Sequence, residues 1–182
     1  MRSKEEQVLE LFFNSSRHWH FEELLEKVKI SRAQLAQWLK RFEKEGIILR
    51  MKEEGKMPHY NQYFESPGFQ NRKKLYAMKR FYESGFLNHL ASLAKARVII
   101  LFGSFSRADW HEDSDIDVFI YGKDDDFEQG KYEVKLKREI QVHNARNMED
   151  LKRMDKLLPY IVSGDFIKGS IEDLKVHIGV KA

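Results

Sequence analysis

Five consecutive apolar residues, Val98-Ile99-Ile100-Leu101-Phe102, constrain this chain more than any other stretch. A run so short and uniformly apolar is the mark of a strand buried on both faces, and therefore of a sheet with packed layers around it. It stops at Gly103-Ser104, and a second strand-like run, Ile116–Tyr121, follows. On that second strand, residues two apart share a face. Asp115 and Asp117 converge on one side, while Ile116, Val118 and Ile120 point to the other. The stretch Glu133–His143 contains a further strand, and Asn147 opens a helix. Pro159 begins a last short helix that ends at Gly164, and Phe166-Ile167-Lys168-Gly169 reads as a closing edge strand. Residues 98–182 thus form a small α/β domain with a mixed sheet.

The first third of the chain has a different period. Val8, Leu9, Phe12 and Phe13 form an apolar stripe on a helix over Lys4–Phe13, and Glu22–Val28 predicts a second helix. A third starts at Ser31-Arg32-Ala33-Gln34, whose spacing is that of a capping box, and ends at Gly46. Ile47–Met51 and Tyr60–Phe64 then read as a hairpin around the turn Glu53–Pro58. Three helices followed by a hairpin resemble a winged helix-turn-helix over residues 1–65. The resemblance implies a recognition helix at residues 31–45 and a wing at 50–60. On it, Arg32, Gln37, Lys40, Arg41 and Lys44 are the candidate DNA-binding side chains. Ser66-Pro67-Gly68 marks the boundary, and residues 66–97 are a helical connector interrupted near Gly85. The expected class is therefore α+β or α/β, with two domains.

Charge is distributed unevenly. Residues 1–65 hold 12 Lys/Arg against 11 Asp/Glu, residues 66–97 hold 7 against 1, and residues 98–182 hold 13 against 17. A basic connector beside an acidic module suits a phosphate-rich partner, and a plainly solvated basic helix suits the same numbers. Arg72, Lys73, Lys74, Lys79 and Arg80 form its basic stripe. With no cysteine, disulfides and thiolate metal sites are excluded. No apolar run reaches membrane-spanning length and the first residues lack a signal core, so a cytoplasmic protein without a membrane partner is expected.

The chemistry is concentrated in VIILFGSFSRADWHEDSDIDVFIY, Val98–Tyr121. Gly-Ser at a strand end, followed after ten residues by Asp-x-Asp on the next strand, resembles the signature of the DNA polymerase beta type of nucleotidyltransferase. The likeness is closest to the minimal nucleotidyltransferases, and to archaeal proteins that fuse one to a winged helix. Arg107 and Ser114 match that pattern too, whereas Ala108 stands where many members have glycine. Two carboxylates at this spacing can bridge Mg²⁺ ions, which take hard oxygen ligands and share them with phosphates. Gly103 leaves room for a phosphate beside the backbone. Ser104, at a helix start, can offer its hydroxyl and nearby N–H groups to the β- and γ-phosphates. The expected nucleotide-binding set is Gly103, Ser104 and Arg107.

The family places a third carboxylate on a neighbouring strand. Here the candidate run is Arg138–His143, in which Glu139 and Gln141 share a face. If Glu139 takes the role, it binds metal or deprotonates the acceptor hydroxyl. If Gln141 occupies the position, the base is missing. Asp115, Asp117 and Glu139 are accordingly the expected catalytic and metal-binding residues, with two Mg²⁺ ions. Asp124-Asp125-Asp126 reads as a solvated turn, and His18, His20, His59, His111 and His143 lack ligand spacing.

The resemblance implies transfer of a nucleoside monophosphate, AMP first among the candidates, from a nucleoside triphosphate to a hydroxyl. Acceptors in the minimal family are proteins, including partner toxins of the HEPN type, or small molecules such as aminoglycosides. A second reading is a DNA-binding transcriptional regulator whose nucleotidyltransferase-like domain senses nucleotide without turnover. A third makes residues 1–65 a protein-docking module.

Overall fold

The computed structural model describes residues 3–174 of the chain. These divide into two units: residues 3–75 together with Trp110–Glu112, and residues 76–109 together with 113–174. The last eight residues of the expected second domain lie outside the described range.

In the first unit, α1 (Lys4–Asn14) starts at Ser3, whose hydroxyl accepts from the Glu6 N–H while the Glu6 carboxylate accepts from the Ser3 N–H. This complete capping box was not among the expected ones. A short strand β1 (Trp19–His20) leads into α2 (Phe21–Val28), and α3 (Arg32–Lys44) follows. The hairpin β2 (Ile48–Met51) and β3 (His59–Gln62) completes an antiparallel sheet in the order β1-β3-β2. The apolar stripe of α1 is wholly buried, as are Leu35, Leu39 and Phe42 of α3. The helical period read from the sequence therefore faces a core, completed by Leu24, Val28, Ile48 and Phe69.

The helix α4 (Pro67–Glu83) carries one correction to the sequence reading. Lys73, expected on an exposed basic stripe, is 1% exposed. Its ammonium donates to the Trp110 carbonyl at 2.6 Å and stands over the rings of Trp110 and Phe69. A helix has only one solvated side, and Lys73 lies four residues after the buried Phe69 on the inward side. Burial of a cation is sustained there by a carbonyl and by π-faces.

The second unit contains α5 (Phe86–Ser92), β4 (Ala96–Phe102), α6 (Gly103–Arg107), β5 (Ile116–Gly122), α7 (Gln129–Leu136), β6 (Ile140–Ala145), α8 (Met148–Arg153), α9 (Leu158–Val162) and β7 (Asp165–Lys168). A 3₁₀ turn, Ile171–Leu174, ends the described chain. The sheet order is β6-β5-β4-β7, with β5 and β6 parallel and the other pairs antiparallel, so the sheet is mixed. Val98, Ile100 and Phe102 of β4 and Phe119 and Tyr121 of β5 pack under Leu151 of α8 and Ile161 of α9. Ile99, Leu101, Val118 and Ile120 are buried as well, so both central strands are covered on both faces.

The strand expected within Glu133–His143 takes up the end of that stretch. Of the stretch Glu133–His143, residues up to Leu136 belong to α7 and the strand starts at Ile140. Tyr132 and Leu136, four apart, are the buried positions of that helix, and Lys137 ends it in the left-handed conformation. Asn147 caps α8 by accepting from the Glu149 and Asp150 N–H groups.

The Ser31 cap offers a test. Its hydroxyl accepts from the Gln34 N–H at 3.2 Å, but among the described residues the Gln34 side chain returns no bond to Ser31. Ser31→Ala should cost about 1 kcal/mol in urea denaturation, whereas Gln34→Ala should change stability by only a few tenths.

Candidate active site

The candidate residues of the second unit meet where β4 ends and β5 begins. Phe102, the last residue of β4, is in register with Asp117 of β5. Gly103 follows with φ 71°, a left-handed turn that sends the chain from β4 into α6. A Cβ built at Gly103 would collide with the Asp117 carboxylate. Glycine is therefore required here twice, for the turn and for the space. Ser104 is the second residue of α6 and partly exposed, so its hydroxyl lies at the helix start that follows the Gly103 turn.

Asp115 precedes β5 and is exposed, whereas Asp117 is partly buried. Asp117 lies on the same face as Phe119 and Tyr121, at the end of an apolar cluster. Burial there pushes its carboxyl above the ordinary carboxylate range, with the Asp115 charge adding to the shift and His143 and Arg107 opposing it. Arg107 is also held by Asp109, at 2.9 Å from its Nε.

The parallel pairing of β5 with β6 places Gln141 in register with Asp117. Glu139 lies just before β6, exposed, with its carbonyl accepting from the Ile116 N–H. Both alternatives for the third position therefore flank the aspartates, and Gln141 is the one directly beside Asp117. Among the described residues no three His, Asp or Glu side chains are gathered as a ready ligand set. Asp115, Asp117 and Glu139 thus do not form a closed three-carboxylate group.

His143, two residues beyond Gln141, is the site residue that the sequence reading passed over. Its Nε2 is buried without a hydrogen-bond partner and lies 3.5 Å from Asp117 Oδ1, and its ring stands edge-on to Phe102. Its alternation with Gln141 on one strand face was the available signal, but that signal needed the β5–β6 register to become useful. The first unit holds another gathering of histidines. His18, His20 and His59 have ring centroids 5.1–6.0 Å apart, because His20 and His59 are cross-strand partners.

The expected DNA-binding side chains of α3 are all exposed, but their pairing differs. Arg32 is bidentate to Glu22, at 2.6 and 2.7 Å, and Arg41 is bound to Glu5 at 2.6 Å. Gln37, Lys40 and Lys44 have no ion-pair or hydrogen-bond partner from their side chains among the described residues.

Two outcomes follow from the β4–β5 corner. Gly103→Ala should lose about 2–4 kcal/mol in chemical denaturation, from the left-handed backbone and the collision together. Ala108 also has positive φ, 61°, and Ala108→Gly should stay within about 1 kcal/mol of wild type. The second concerns Asp117. A carboxyl whose folded pKa is raised favours the fold most when protonated, and loses that contribution as pH rises through the folded value. Without metal, Asp117→Asn should therefore melt at higher temperature than wild type at neutral pH. The difference should fade as pH falls through the carboxylate range. A variant that melted below wild type at pH 7 would contradict the account.

No curated protein and no solved structure matches the chain. No helix among the described residues is long and apolar enough to cross a membrane. A family model described as "Nucleotidyltransferase domain" matches residues 84–176, half of the chain, and spans the Gly103-Ser104 turn, both aspartates and the β6 residues beside them. This chain belongs to the nucleotidyltransferase domain family.

Proposed function

We propose that the chain transfers a nucleoside monophosphate, AMP, from a nucleoside triphosphate to a hydroxyl on a protein or small molecule. The observation that carries this reading is the meeting of the Gly103 backbone with the Asp117 carboxylate, with Asp115 two residues before it and close enough for its charge to act on it. The donor set fits divalent cations: hard oxygens, one partly buried carboxylate held above its usual pKa, and the His143 Nε2 3.5 Å from it. Asp115 and Asp117 would hold Mg²⁺, which supplies charge neutralisation for the triphosphate and the leaving pyrophosphate.

The chain's own groups do the rest. The Ser104 hydroxyl and the N–H groups at the start of α6 bind the β- and γ-phosphates. Arg107, released from Asp109, adds a cation to the same phosphates. The acceptor oxygen forms a bond to the α-phosphorus as the α–β bridging bond breaks, and Glu139 takes the hydroxyl proton. His143 holds the Asp117 carboxylate in its orientation.

The first unit supports a second activity. Its order of helices and hairpin, with Gln37, Lys40 and Lys44 exposed and unpaired on α3, favours a winged helix that contacts duplex DNA through that helix. Under this reading a regulator that senses nucleotide without turnover is the alternative to the enzyme.

Transfer from α-labelled triphosphates to a cell extract, with all four bases, tests the enzyme. Asp115→Asn and Asp117→Asn should abolish transfer, and the Mg²⁺-induced rise in melting temperature should be lost in Asp117→Asn. Glu139→Gln should slow turnover by about 10²–10⁴-fold with triphosphate affinity largely kept, while Gln141→Ala stays near wild type. No labelled product from any triphosphate would overturn the enzyme. Charge reversal at Lys40 and Lys44 should remove salt-sensitive binding to duplex DNA, and reversal at the already neutralised Arg32 should do less.

A further inference from the structure

The second unit has a cleft at the end of its sheet opposite the aspartates. Its volume is about 460 Å³, and Lys95, Arg97, Lys123 and Arg146 line it together with Tyr121 and Met148. The strand register fixes its place. Phe102 pairs with Asp117 at one end of β4–β5, and Ala96 pairs with Gly122 at the other. Five strand steps separate Asp117 from Gly122, about 17 Å, so the cleft is not an extension of the aspartate site.

Four cations from three strand ends converge there, within a unit whose sequence holds 17 Lys/Arg against 17 Asp/Glu. The acidic groups around them engage only part of this charge. Lys95 is 3.7 Å from Asp125 and 3.9 Å from Asp126, and Arg146 is 3.8 Å from Asp124. These are long contacts between largely exposed groups, which contribute little. Asp150 accepts from the Arg146 backbone N–H rather than from its guanidinium. Arg97 and Lys123 have no ion-pair partner among the described residues. Two unpaired cations, two weakly paired ones and an apolar wall from Tyr121 and Met148 face one concavity.

We propose that this cleft binds a small phosphomonoester, with Arg97 and Lys123 on the phosphate and Tyr121 and Met148 against the group it carries. The volume falls in the range of small-ligand sites. The acidic turn Asp124–Asp126, beside Lys95 and Arg146, disfavours a long polyanion over a ligand with a single phosphate. The inference does not depend on the proposed transfer reaction.

Calorimetric titration of the full chain in chelator, with AMP and separately with inorganic phosphate, is the test. AMP should bind with an affinity that falls as salt is added, and Arg97→Glu with Lys123→Glu should weaken it by about tenfold or more. Arg97→Gln with Lys123→Gln should give a smaller loss in the same direction, which guards against a charge-reversed chain that misfolds. Asp117→Asn should bind AMP as wild type does, even where it has lost Mg²⁺-dependent triphosphate binding. Phosphate bound as tightly as AMP would identify free phosphate as the occupant of the same site. The proposal is overturned if millimolar AMP and phosphate give no heat, or if the double variants bind like wild type. It is equally overturned if binding requires Asp117, or if a short single-stranded oligonucleotide binds more than about tenfold more tightly than AMP.

Discussion

The antiparallel pairing of β4 with β5 brings the backbone of Gly103 against the carboxylate of Asp117, and the rest of the second unit is arranged around that contact. The pairing places Phe102 opposite Asp117, so the turn at Gly103 begins level with the acidic end of β5. Any side chain at Gly103 would displace the carboxylate, and any slip in register would move Asp117 to another partner. The apolar residues on both faces of the two strands hold that register. A partly buried carboxylate is thereby fixed at the edge of an apolar cluster, where it is less well solvated and where a cation stabilises it more than in water.

Much of this was legible from residue types because the sheet is buried on both faces. Val98–Phe102 could only be a central strand, and Asp115-Ile116-Asp117 could only present its carboxylates together. What could not be read was anything set by pairing between distant strands. His143 looked like one more isolated histidine until β6 was laid parallel to β5. The same holds for His20 and His59, cross-strand partners 39 residues apart. The local reading placed a strand within Glu133–His143 without locating its start, because Tyr132 and Leu136, four apart, turn the first part of that stretch into a helix. Lys73 was misplaced for a related reason: charge alone argued for solvent, and the carbonyl and rings that receive it come from residues near 110 and 69.

The two ends of the sheet in the second unit differ in sign. One end carries Asp115 and Asp117, and the other carries Lys95, Arg97, Lys123 and Arg146. Since β4 and β5 are antiparallel, each contributes to both ends, and a short stretch of chain bears both characters. The field along the strands therefore runs from a cation-attracting end to an anion-attracting one, a separation that net charge conceals.

The first unit is assembled from two pieces of chain that are far apart in sequence. Trp110–Glu112 belongs with residues 3–75, and Trp110 is enclosed there by Phe13 and by the ammonium of Lys73. Glu112 donates its N–H to the Asn14 carbonyl. The chain leaves the second unit after Asp109 and re-enters it at Asp113, midway between Gly103-Ser104 and Asp115-Asp117. No single cut in the polypeptide can separate the two units. A fragment beginning at Tyr76 would keep every candidate catalytic residue, yet it would release a large indole, with its partners deleted, into the loop that joins the Gly103 turn to the aspartates.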